Sequence, residues 1–199
     1  KTPGVYIVEK SAFPNSVVEA PTAIPAFIGI TEKAVNGADS LSGKPWKITS
    51  MTEFQQYFGG APAPEFRLSV VDYPEKDASK TFYGIPSPDK SKLLRVEAPE
   101  VTFSLYYQMV MFFANGGGTC YIVSAGTYDQ KSLIDKEKVV AALTALKKEQ
   151  EITMVLVPEA VSVDECKDIQ TQVLAHCGEM MNRFAILDVQ PKAKENEVM

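Results

Sequence analysis

Histidine occurs once in the 199 residues, tryptophan once and cysteine three times. A lone His176 rules out any centre built on paired imidazoles, and its neighbour Cys177 has no second ligand pair at metal spacing, so no metal site is expected. Cys120, Cys166 and Cys177 are too few and too scattered for a disulfide framework, which fits synthesis in a reducing compartment. Excess positive charge is also missing: 20 Lys and Arg stand against 25 Asp and Glu, a net charge of −5. No basic surface exists in bulk to neutralise phosphates or grip an anionic membrane, so nucleic acid is excluded as a principal partner. Nor does any apolar run approach the roughly 20 residues of a membrane helix, so no membrane insertion is expected.

What the chain has is apolar side chains, 45% of the total, enough for a sizeable core. Thr2-Pro3-Gly4-Val5-Tyr6-Ile7-Val8-Glu9 reads as a short strand opened by Pro and Gly. Pro14, Pro21 and Pro25 then disfavour both helix and sheet, so residues 1–25 are expected to form a strand on an extended arm. Ala26-Phe27-Ile28-Gly29-Ile30 is the first run with the look of a buried strand. Ser50-Met51-Thr52-Glu53 carries the reciprocal capping pattern of a helix start, and that helix should stop at Gly59-Gly60. Between about 61 and 99, prolines mix with charge around strand-like Phe66–Val71 and Leu93–Val96. This stretch is expected to be an insertion or edge region, because proline is excluded from central strands.

The second half is more regular. Ser104 to Asn115 is a nearly all-apolar helix, expected to be buried on most sides. Strand-like Thr119–Val123 follows, then a helix with Val139, Leu143 and Leu146 on one face, then the strand Ile152–Val157. Ser162 to Glu165 repeats the capping pattern before a helix striped by Cys166, Ile169, Val173 and Cys177, and Arg183–Val189 closes the series. Strands apolar on both faces, alternating with amphipathic helices, predict an α/β fold: a mostly parallel sheet flanked by helices, with the N-terminal strand arm and the Pro-rich β insertion as additions. Residues 26–199 are read as this α/β domain.

Few residues offer chemistry. Gly116-Gly117-Gly118 invites a phosphate-loop reading, but that motif runs strand, glycines, helix. Here the glycines follow a helix, so Asn115, Gly116, Gly117 and Gly118 are read as a helix stop and turn. Glu159 and Asp188 fall at the C-terminal ends of expected parallel strands, the usual place for catalysis in open α/β sheets, where they could hold a divalent ion. The plainer reading gives Glu159 a helix-dipole role and Asp188 a turn before Pro191. His176 and Cys177, adjacent on a helix, diverge by about 100° and cannot act as a nucleophile pair; a surface His and a core Cys are expected. Neither a cofactor nor enzymatic activity is expected. The unexplained feature is the armed strand, since a free strand is normally kept only where another chain completes the sheet.

Several segments in order resemble the tail sheath family of contractile phages, tailocins and extracellular contractile injection particles. They are Thr2-Pro3-Gly4-Val5-Tyr6, Val18-Glu19-Ala20-Pro21-Thr22-Ala23-Ile24-Pro25-Ala26-Phe27-Ile28-Gly29, Ile48-Thr49-Ser50 with Glu53-Phe54 and Phe58-Gly59, Phe112 to Val123, and His176-Cys177 with Arg183-Phe184-Ala185-Ile186-Leu187-Asp188. The resemblance covers roughly the N-terminal half of such proteins. It implies a structural subunit that stacks in hexameric rings around an inner tube, exchanges terminal strands with neighbouring sheath subunits, meets baseplate and cap proteins, and drives the tube into a target envelope on contraction. Val5, Tyr6, Ile7 and Val8 would be the inter-subunit strand. Assembly in the bacterial cytoplasm, into a phage tail or an extracellular particle, is implied with it. The alternatives are a small-molecule or nucleotide-binding α/β enzyme using Glu159 and Asp188, or a non-contractile cap or adaptor derived from a sheath domain.

Overall fold

The computed structural model describes residues 22–63, 66–72, 83–89, 91–97, 103–128 and 133–190. In chain order the elements are β1 (Pro25–Thr31), β2 (Val35–Asn36), β3 (Asp39–Ser40), β4 (Trp46–Ile48), α1 (Met51–Phe58), β5 (Arg67–Asp72), β6 (Tyr83–Pro86), β7 (Lys92–Glu97), α2 (Leu105–Ala114), β8 (Cys120–Thr127), α3 (Lys136–Leu146), β9 (Met154–Leu156), a 3-10 turn (Pro158–Ser162), α4 (Cys166–Met180) and β10 (Phe184–Ile186). The expected strand Val5 to Val8 and the arm up to residue 21 lie outside the described residues.

Among the described residues the central sheet has five strands in the order β10-β9-β1-β8-β4. Four run parallel, and only β4 is antiparallel, pairing Trp46 with Ile122 and Ile48 with Cys120. All seven residues of β1 are buried, as a strand covered on both faces requires. Ile24, Ala26, Ile28 and Ile30 face one core with Val139, Leu146, Ile169 and Val173 of α3 and α4. Phe27, Cys120 and Ile122 face a second core with Phe54 and Phe58 of α1 and Leu105 and Met109 of α2. The period-two alternation of the strands thus sorts side chains between two helical layers. The fold is mixed α/β, with a mostly parallel sheet flanked by helices.

Three details depart from the sequence reading. Only Leu105 and Met109 of α2 are buried, while Met111 is 63% and Tyr107 48% exposed; nothing described covers the outer side of this helix. The Ser162–Glu165 capping box does not form, because the 3-10 turn takes up Ser162 and α4 starts after Glu165 with no side-chain cap. Glu165 instead accepts the Lys136 N–H at the start of α3, beside the true N-cap Asp135. At α1, Ser50 accepts the Glu53 N–H, but Glu53 reaches back one residue further than a standard box, to the N–H and hydroxyl of Thr49.

Strands β5, β7 and β6 form a separate three-stranded antiparallel sheet. Val70 lies opposite Leu94, and Leu94 opposite Ile85, so one face carries a row of apolar side chains. Among the described residues nothing covers that face: Val70 is 66% exposed, and Leu68, Ile85 and Leu94 are exposed beside it.

Candidate functional site

In a doubly wound sheet, ligands bind at the C-terminal ends of two adjacent strands whose connections leave in opposite directions. Here those strands are β1 and β9: β1 leads to β8 on one side, and β9 leads to β10 on the other. The crevice is occupied by the chain itself. Glu159, in the turn after β9, is 3% exposed and points its carboxylate between the end of β1 and the first turn of α2. Oε2 accepts the Ile30 N–H at 2.8 Å. Oε1 accepts the N–H groups of Ser104 at 3.1 Å and Leu105 at 3.2 Å.

Local sequence explains each contact. β9 pairs with β1 only as far as Phe27, so Ile30 lies past the end of that ladder and Glu159 satisfies its N–H. The amides at residues 104 and 105 open α2 and lack intrahelical acceptors, and the positive end of the helix favours an anion there. The close approach depends on Gly29, where a Cβ would stand 3.0 Å from the Leu105 side chain and 3.2 Å from Glu159 Oε2. The carboxylate therefore sits where an anionic ligand would, at the dipole of α2 rather than at the helix that follows it in sequence. Burial pushes Glu159 up from its ordinary value of 4.5 to about 7, against the three amide bonds that pull it down.

Asp188 does not join Glu159 in this crevice. It is exposed, lines a shallow groove with Gln108, Pro158 and Ile186, and its backbone carbonyl receives the Gln170 amide. Among the described residues no three His, Cys, Asp or Glu side chains converge in a way that could hold a metal ion.

His176 is not on the surface as its sequence neighbourhood had implied: it is 4% exposed. Its Nε2 faces Arg183 Nη1 at 3.4 Å, and burial together with the Arg183 and Lys147 charges holds the imidazole below its ordinary value. Arg183 in turn donates to the carbonyls of Leu146 and Glu149, closing the C-terminal end of α3. The pair is a brace between α3 and α4, with Cys177 buried beside it and its thiol raised by burial. The signal missed in the sequence was Arg183 itself, whose position after α4 lets it turn back onto both helices.

The glycines at 116–118 end α2. Gly116 takes φ +85°, and the Gly117 N–H bonds the Phe112 carbonyl while the Gly116 N–H bonds that of Phe113, the paired bonds of a Schellman stop. A Cβ on Gly117 would lie 2.6 Å from Phe112. No helix N-terminus follows these glycines; the chain passes into β8.

No protein-family model matches the chain, and no curated protein matches it at a significant level. Among the described residues no helix is long and apolar enough to cross a membrane.

Proposed function

We propose that this chain is a structural subunit of a contractile, tail-like sheath, which polymerises around an inner tube and transmits force rather than catalysing a reaction. The observation that carries the reading is the apolar surface left uncovered at open strands. Among the described residues β10 is an edge strand, whose Phe184 is 57% exposed, with Ile186, Leu187 and Val189 also exposed. The β5-β7-β6 sheet leaves Leu68, Val70 and Ile85 in water. Monomeric proteins seldom keep such surface unless another chain covers it. The ordered series of sheath-like segments supplies the kind of assembly.

On this reading the residues before Ile24 are the linking arm, since Ile24 belongs to the core and Pro25 to β1, and Val5, Tyr6, Ile7 and Val8 are the strand donated to a neighbouring subunit. Residues from about 61 to 99 are an insertion or edge region of the α/β domain. The partners are other sheath subunits, the inner tube protein, and baseplate and cap proteins, in a phage tail or an extracellular injection particle assembled in a bacterial cytoplasm. Negative-stain microscopy of complete particles lacking residues 1–9 tests the arm: short or absent sheaths are expected, and sheaths of normal length would overturn strand exchange.

The enzyme alternative is disfavoured by the filled crevice, since a carboxylate engaged by three backbone amides has little capacity left for a metal or nucleotide. Calorimetric titration with magnesium and with ATP separates the readings. Micromolar binding that disappears in Asp188→Ala would support the enzyme.

A further inference from the structure

The two faces of the central sheet are not covered alike. Val155 of β9 and Ala185 of β10 pack with α3 and α4, so their neighbours Met154, Leu156, Phe184 and Ile186 point to the other side, with Phe184 beside Met154 and Ile186 beside Leu156. On that side α1 and α2 pack over Phe27, Ile48 and Ile122 of β1, β4 and β8, with Leu156 at the margin of their core. Beyond it, among the described residues, nothing covers Phe184 and Ile186, which stay exposed. The result is a trough with β9 and β10 as its floor and α2 as its wall. Two strands span about 10 Å, the diameter of one helix. One end of the trough is a cleft of about 240 Å³ between Gln108 of α2 and Leu156, Ile186 and Leu187.

The chain carries a helix that fits this trough, namely α2 itself. Tyr107, Val110 and Met111 lie exposed on its outer side, with Met111 one turn on from both Tyr107 and Gln108. Neither α2, β9 nor β10 contains a charged residue, so helix and trough match each other and offer nothing to a charged partner. We propose that two copies of this chain associate about a two-fold axis, the α2 of each resting its outer side in the β9–β10 trough of the other. Helix and trough adjoin on one molecule, so a single two-fold operation fills both troughs and covers both helices; the surface is self-complementary. Tyr107, Val110, Met111, Phe184, Ile186 and Leu187 leave on the order of 500 Å² of side chain in water. Two copies therefore bury about 1,000 Å², the lower bound of a specific interface and a size that goes with weak, reversible association. The inference does not rest on the sheath reading. A sheath that repeats its subunits in one direction has no such axis, so the pair is a state of the free chain that sheath contacts through β10 would displace, and its failure leaves that reading as it stands.

The test is sedimentation velocity of the full chain from about 5 to about 500 μM, the range in which weak association is read. A rise from the mass of one copy to that of two, with no larger species, is expected. Met111→Glu on the helix and Ile186→Glu on the floor each place a carboxylate in both symmetry-related contacts, and each should weaken association at least about tenfold. Val70→Glu, at an equally exposed apolar position on the β5-β7-β6 sheet, should leave association unchanged. All three positions are open to water, so the variants are expected to fold, and circular dichroism checks that they do. A wild-type chain that stays single at the highest concentration, or one that grows beyond two copies, would overturn the pairing whatever the variants do. Association that survives in Met111→Glu or Ile186→Glu, or that is lost equally in Val70→Glu, would overturn it as well.

Discussion

At the scale of single residues, Gly29 and Glu159 show how one small and one charged side chain decide what the centre of the sheet can do. A Cβ at position 29 meets Leu105 and Glu159 at 3.0 to 3.2 Å, so Gly29→Ala is expected to cost about 1–3 kcal/mol of overpacking, read as a lower urea midpoint at unchanged slope. Glu159 has a pH consequence of defined sign. Its folded value is raised from 4.5 to about 7, so the folded state holds the proton more tightly than the unfolded chain. The resulting stability is fully present below about 4.5 and is lost as pH rises through about 7. The contribution is about 3 kcal/mol at most, and subtracting denaturation curves of Glu159→Gln from wild type between pH 5 and 8 should isolate it. The sequence marked Glu159 as lying at a strand end. It could not show that the carboxylate turns inward, since its partners at 30, 104 and 105 are distant in the chain.

At the scale of elements, amphipathic periodicity was the legible part. The stripes Val139, Leu143, Leu146 and Cys166, Ile169, Val173, Cys177 are buried as their spacing implies. Composition alone misleads for α2: its apolar sequence implies burial on most sides, yet among the described residues nothing covers its outer side. Caps were legible only in part, since Ser50 acts within one turn while the role of Glu165 passes to a helix 29 residues earlier. The Arg183 brace is another long-range solution. Arg183→Ala would strand the carbonyls of Leu146 and Glu149 and remove the guanidinium that faces His176. A loss of about 2–3 kcal/mol in chemical denaturation is expected, consistent with hydrogen bonds to a charged group. Faster hydrogen exchange should be concentrated at the end of α3.

At the scale of the whole molecule, the question is what covers the exposed apolar faces. Replacing Val70 or Ile186 with Glu removes apolar surface from positions already open to water, so each variant should stay within about 0.5 kcal/mol of wild type in thermal or urea unfolding. If the chain is the proposed sheath subunit, the same substitutions are expected to shorten or abolish sheaths in complete particles; unaffected assembly would show that these faces are not interfaces. The sequence by itself determined the α/β class and the stripes of the flanking helices, because these follow from composition and from periods of two and 3.6 residues. The tertiary structure alone decided the strand order, and with it that the crevice between β1 and β9 is closed by Glu159, that His176 is buried against Arg183, and that no described residue covers the outer face of α2. Each of these depends on which distant segments become neighbours, and a local pattern carries no record of that.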